Sequence, residues 1–176
     1  MKKFILITFL SASIMFAGSF TLTSTDLRGQ LTKAQEFNGF GCNGQNISPK
    51  LHWENPPKGT KSFAITVYDP DAPTGSGWWH WIVVNIPVNV RDIPRDASAK
   101  KLLPKGAIET MTDFGKAGFG GACPPKGDKP HAYKFTIYAL DTDKLDVTSK
   151  SDSALVGFMI GKHTIQKATI VSYYQR

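Results

Sequence analysis

Residues 63–86 read FAITVYDPDAPTGSGWWHWIVVNI, and this stretch decides the fold. In its first limb Phe63, Ile65, Val67 and Asp69 share one parity, and Ala64 and Tyr68 share the other. In its last limb His80, Ile82, Val84 and Ile86 share one parity, and Trp81 and Val83 the other. Period-two alternation marks a strand, because successive side chains point to opposite faces. Both parities are largely apolar, which predicts strands covered on both sides, as in a sandwich. The intervening Pro70 to Trp79 is rich in turn formers, so the limbs predict an antiparallel hairpin.

A third strand is predicted from His131 to Leu140, with His131, Tyr133, Phe135, Ile137 and Ala139 on one face. A Thr-rich piece after Phe20 predicts a first strand, and Ala168 to Tyr174 a last one. Phe37 to Pro57, with Asn38-Gly39, Asn43-Gly44 and Pro56-Pro57, reads as a loop. One helix is predicted over Ser153 to His163, with Leu155, Phe158, Met159 and Lys162 at helical spacing and Ser151 or Asp152 as its cap. The expected class is mostly β, an antiparallel sandwich with short flanking helices.

The chain has 176 residues, enough for one core. Its start is a separate matter. Lys2 and Lys3 precede an apolar run, Phe4 to Phe16, and small residues follow at Ala17 and Ser19. That is the layout of a secretory signal over residues 1–19, cut after Ser19, which leaves one domain over 20–176. The run is short for a membrane span, which takes about 20 apolar residues. A periplasmic or secreted protein is expected. The net charge of +7 includes both signal lysines, and the densest basic spot is Lys100-Lys101 with Lys105. Such scattered charge argues against nucleic acid as a partner. Two cysteines, Cys42 and Cys123, sit in Gly-rich stretches. In an oxidising compartment they predict a disulfide, with two unpaired loop thiols as the other reading. Bridged, they would stabilise the fold by about 3–5 kcal/mol, chiefly by restricting the unfolded chain.

Chemistry is expected at the strand ends. Asp69 ends one strand and His80 begins the next, so a hairpin brings both to one rim. His131 opens the third strand and follows a Gly/Pro-rich loop, Gly115 to Pro130. Long loops of this kind inside a compact domain tend to carry function. Its glycines could approach a ligand closely, and consecutive N–H groups could form an anion nest, with Pro124-Pro125 stiffening the wall. Two imidazoles can donate to an anion. Asp69 is then an orienter of a histidine or a partly protonated donor. Asp113-Phe114-Gly115 matches a kinase tripeptide by chance, and Asp141-Thr142-Asp143 with Asp146 marks a turn rather than a calcium loop. His52 and His163 read as structural or surface residues.

Four ordered motifs then carry a resemblance. Tyr68-Asp69-Pro70-Asp71-Ala72-Pro73, Trp79-His80-Trp81-Ile82-Val83-Val84-Asn85, and Pro124-Pro125-Lys126-Gly127 with His131-Ala132-Tyr133 are three of them. Asn46-Ile47-Ser48-Pro49-Lys50-Leu51-His52-Trp53 is the fourth. Together they resemble the phosphatidylethanolamine-binding protein (PEBP) family, in its bacterial Raf-kinase-inhibitor-like branch, over nearly the whole chain from Phe20. The resemblance implies a pocket for phosphate or a phosphoryl headgroup, built from Asp69, His80, Pro124, Pro125, His131 and Tyr133, with Pro73 and Trp78 at its mouth. It implies a cis Ala72–Pro73 bond. Ala132 stands where relatives commonly carry Arg, which removes a cation near the pocket.

The expected function is a binding protein without catalysis, cofactor or metal, acting on a phosphate-like anion or a phospholipid headgroup. A protein partner, such as a protease or a host protein, is a further expectation. Membrane contact is at most peripheral, and the oligomeric state is open, a homodimer being one outcome. The alternative is a metal-dependent or acid–base hydrolase using Asp69, His80 and His131. Against it, no G-x-S-x-G or H-E-x-x-H occurs.

Overall fold

The computed structural model describes residues 18–176, so the expected signal segment, apart from Gly18 and Ser19, lies outside the described residues. The elements run β1 (Thr21–Thr23), β2 (Asn38–Gly39), β3 (Cys42–Asn43), β4 (Leu51–Glu54), β5 (Ser62–Asp69), β6 (Trp78–Pro87) and β7 (Asp92–Ile93). Then come β8 (Ile108–Glu109), β9 (His131–Leu140), α1 (Ser153–His163) and β10 (Thr164–Tyr174). A five-stranded antiparallel sheet, β10-β9-β5-β6-β8, is faced by a three-stranded sheet, β1-β4-β7. The fold is therefore the expected antiparallel sandwich.

The layers explain why the long strands are apolar on both faces. Toward the small sheet, Phe63, Ile65, Val67, Trp81, Val83, Phe135 and Ile137 pack with Leu22, Leu51, Trp53 and Ile93. Trp53 meets Phe63 edge-on, with ring centroids 5.4 Å apart. Fully burying a side chain of this class stabilises by about 1.5–3 kcal/mol. On the other face Ala64, Ile82, Val84 and Leu140 pack with Leu145, Val147 and the α1 residues Val156 and Ile160.

Several expectations change here. The segment read as loop contains β4, whose Leu51 and Trp53 are fully buried. It is short and flanked by prolines, so the alternation signal is brief. The helix is placed as expected and Asp152 caps it, accepting from Leu155 N–H at 2.8 Å. Its inner face, however, is Val156 and Ile160, while Leu155 and Phe158 are exposed. The last strand begins at Thr164 rather than Ala168. Among the described residues, no helix is long and apolar enough to cross a membrane.

The parity of β6 breaks twice. Tyr68 pairs with Trp79 and Val67 with Trp81, so His80 stands opposite no residue of β5. This bulge leaves Trp79 against the face of Ile82 and Val84, while His80 turns to the side of Asp69. A second irregularity follows where Phe63 pairs with Ile86 but Ile65 with Val83. There Asn85 adopts left-handed backbone, φ 59°. Its side chain accepts from Leu145 N–H at 2.8 Å and donates to Leu145 C=O at 3.3 Å. Ile86 consequently joins the core with Phe63, not the face of Ile82 and Val84. A bulge is set by pairing with a neighbour strand, so sequence parity alone does not reveal it.

Candidate functional site

The rim where β5 ends and β6 and β9 begin carries a cavity of about 160 Å³. All eight expected ligand residues line it: Asp69, Pro73, Trp78, His80, Pro124, Pro125, His131 and Tyr133. The antiparallel register brings them together. Asp69 pairs with Trp78 across β5–β6, and Tyr68 with Lys134 across β5–β9. The ends of three strands therefore meet at one place.

Asp69 and His131 form the buried floor. His131 Nδ1 lies 2.8 Å from Asp69 Oδ2, and Asp69 Oδ1 accepts from Asp71 N–H at 2.8 Å. The other His131 nitrogen lies 3.3 Å from Asp128 Oδ2. The carboxylate thus orients a histidine, as expected from its type. Because both its oxygens are engaged, it is less repulsive to a bound anion than a bare carboxylate would be.

His80 is held differently. Its Nδ1 faces two carbonyl oxygens, Gly120 at 2.8 Å and Gly121 at 3.1 Å. Carbonyls only accept, so Nδ1 carries the proton, which leaves Nε2 to titrate. Burial pushes the His80 pKa below its ordinary value of 6.5. Burial thus favours the neutral ring, with a lone pair on Nε2. Tyr133 sits edge-on to it, with ring centroids 5.1 Å apart. The Tyr133 hydroxyl is buried, with Asp69 and the Cys123 backbone as its near polar neighbours but no hydrogen bond of ordinary length closed to either. Burial, with the negative Asp69 nearby, pushes that phenol far above its ordinary value, so it stays a donor.

Two sequence expectations fail. The glycine loop forms no anion nest. Phe119 N–H donates to Ser98 Oγ, Gly120 N–H to His80 C=O, Gly121 N–H to Asn46 Oδ1 and Ala122 N–H to Gln35 C=O. Its contribution is the pair of carbonyls that fixes His80. The Ala72–Pro73 bond is trans, since there are no cis peptide bonds among the described residues. Asp69 caps the turn through Asp71 N–H, and Thr74 N–H closes a tight loop onto Ala72 C=O at 2.8 Å, so trans geometry suffices. Ala132 lends only its N–H, to Asp71 Oδ2, and Lys129 pairs with Asp71 Oδ1 at 3.0 Å. These two contacts hold Asp71 below the usual carboxylate range.

Cys42 and Cys123 are joined in a disulfide, Cα–Cα 6.0 Å, and Cys123 lines the cavity. The lining also includes Phe40, Ala72, Thr74 and Phe114, which the sequence did not single out. Phe114 lay hidden in a chance tripeptide. Phe40 reaches the cavity only through contacts distant in sequence, and no local pattern announces those. Thr74 Oγ1 is occupied by Gly77 C=O at 2.5 Å. Among the described residues, no group of three or more His, Cys, Asp and Glu side chains is placed to hold a metal ion. His52 pairs with Asp92 and Glu54, and His163 with Asp141, at the surface and away from the cavity.

Comparison with known proteins agrees with this architecture. The family model described as phosphatidylethanolamine-binding protein matches residues 21–175. The UPF0098 protein YbcL of Escherichia coli is 55% identical over 163 residues, 90% of this chain and 89% of that protein. The UPF0098 protein YbhB of the same organism is 49% identical over 156 residues, 87% and 98% of the two chains. The crystal structure of E. coli YbcL, described as a member of the mammalian PEBP family, superposes with a TM-score of 0.88 over 90% of this chain and 99% of that one. A PEBP homolog from Chlamydia trachomatis superposes with a TM-score of 0.74 at 27% identity, over 90% and 98% of the two chains. The chain belongs to the phosphatidylethanolamine-binding protein family.

Proposed function

We propose that this protein is a non-catalytic binding protein whose cavity receives a phosphate-like anion or a phosphoryl headgroup. The observation that carries the reading is His80 at the cavity wall, its Nδ1 fixed by the Gly120 and Gly121 carbonyls so that Nε2 is the nitrogen left for a ligand. Once protonated, His80 Nε2 would donate a charge-assisted hydrogen bond to a ligand oxygen. Catalysis is disfavoured because the aliphatic hydroxyl and the sulfur at the wall, the candidate nucleophiles, are already engaged. Thr74 donates to Gly77, and Cys123 is bonded to Cys42.

The cavity would serve recognition of a phospholipid headgroup at a membrane surface, or regulation of a protein partner such as a protease or a host protein. The expected export signal places that role in the periplasm or outside the cell. Mass analysis of the protein from an envelope fraction, with Phe20 as its first residue, would support export.

The site is tested by titrating inorganic phosphate and phosphorylethanolamine while following the ring signals of His80 and Tyr133 by NMR. Saturable shifts are expected, weakened in Tyr133→Phe and lost in His80→Ala. No saturable shift with either ligand would overturn the reading.

A further inference from the structure

Phe40 is held in a conformation that its own chemistry disfavours. It occupies the two-residue turn between β2 and β3 with Gly41, and both residues have positive φ, 52° and 78°. This turn type is built for Asn-Gly or Gly-Gly, since left-handed backbone crowds a Cβ. Gly41 fits and Phe40 does not. Among the described non-glycine residues with positive φ, the others are Asn46, Asn55, Asn85, Asp96 and Lys101, so Phe40 is the one aromatic. It is also 70% exposed. Backbone strain and an exposed ring are two local costs, offset only by the ring's contacts with Phe37 and Phe114. Such a position points to function.

The ring is fixed over the cavity mouth. It stacks on Phe114, with centroids 5.8 Å apart and planes 11° from parallel. Phe114 in turn meets Trp78 edge-on at 5.4 Å. The hairpin beneath is anchored on several sides. Cys42 is bonded to Cys123, Arg176 Nη1 donates to Gly41 C=O at 2.8 Å, and Asn43 N–H donates to Glu36 Oε1 at 3.0 Å. Phe40 is a rigid platform rather than a loose tip.

Size gives the platform a purpose. The cavity of 160 Å³ is close to the roughly 150 Å³ that accommodates a benzene. A phosphoryl group and a few attached atoms fill it. Whatever else the ligand carries must leave past Phe40, Trp78 and Pro125.

We infer that the Phe40 hairpin is a stacking shelf that selects phosphoryl esters bearing an aromatic ring over bare phosphate. This rests on the anion reading of the cavity. A flat ring matches the flat outer face of Phe40, and an offset-stacked pair would raise affinity about three- to tenfold.

The test compares inorganic phosphate, phenyl phosphate and hexyl phosphate by calorimetry, on the wild-type protein, Phe40→Ala and Phe40→Gly. Wild type should bind phenyl phosphate about three- to tenfold tighter than phosphate, and tighter than hexyl phosphate. Both variants should lose most of that preference, and Phe40→Gly should melt higher than wild type because its backbone fits the turn. A phenyl-to-phosphate ratio unchanged in both variants overturns the shelf alone. An equal gain with hexyl phosphate overturns the choice of an aromatic ring. Absence of binding by all three ligands to wild type overturns the anion reading, and the shelf with it.

Discussion

Asp69 and His131 face each other at 2.8 Å with side chains only 3% and 1% exposed, each the other's main buried polar partner. Removing either leaves the other desolvated, with Asp71 N–H alone on Asp69 and the part-exposed Asp128 alone on His131. Asp69→Ala and His131→Ala should each cost about 3–5 kcal/mol of stability. The double variant should cost clearly less than the two losses added together. Urea unfolding of the four proteins of this cycle gives the coupling directly, and additive losses would refute it.

His80 gives the protein an acid sensitivity of stated sign. Its folded pKa lies below the ordinary 6.5 because of burial. The unfolded chain therefore takes up this proton at higher pH than the folded one does. Stability attached to the neutral ring is present above the ordinary value and falls as pH drops from there toward the folded value. Thermal melts across that window should show the slope in wild type, and His80→Gln should flatten it.

The same residue sets the pH response of binding. An anion beside Nε2 favours the protonated ring, so phosphate binding should be accompanied by proton uptake. Affinity should rise as pH falls below neutrality. Calorimetry in buffers of different ionisation enthalpy measures the uptake. Binding that is independent of pH would exclude His80 as a donor.

Reduction of Cys42–Cys123 should lower stability by about 3–5 kcal/mol, because it frees a long loop in the unfolded chain. It should also loosen the β2–β3 hairpin and the wall at Pro124. Hydrogen exchange at Gly41 and Asn43, with and without a reductant, reports the second effect. The paired variant Cys42→Ser with Cys123→Ser should behave like the reduced protein.

Asn85 supports the second irregularity of β6 by tolerating left-handed backbone and by two hydrogen bonds to Leu145. Asn85→Ala should cost about 2–3 kcal/mol. Asn85→Gly should cost less, since it keeps the backbone freedom. Denaturant midpoints separate the two contributions.

Much of this was legible in the sequence, for identifiable reasons. Long apolar alternation in Phe63 to Asp69 and in His131 to Leu140 dictates strands whatever surrounds them. Polar residues at the ends of those strands then had to fall on one rim. What escaped depends on partners far away in the chain. The side to which His80 points is set by a bulge against β5. The backbone N–H groups of Phe119, Gly120, Gly121 and Ala122, in the stretch that resembled an anion nest, are consumed in turn by Ser98, His80, Asn46 and Gln35. Phe40 and Phe114 meet across the fold, and neither lies in a periodic pattern.

The pairing of β5 with β9 joins Ser62 to Leu140 and Tyr68 to Lys134, stretches of chain made far apart in time during synthesis. Closing such distant contacts is entropically slow. A nascent chain that has emerged only through Asp69 and His80 owns two thirds of the polar triad but lacks the opposite wall, Pro124, Pro125, His131 and Tyr133. On the proposed reading, ligand capture would begin only once β9 is inserted beside β5. Recognition would then switch on in one step, with completion of the sheet, and an N-terminal fragment that stops before β9 should show none of it.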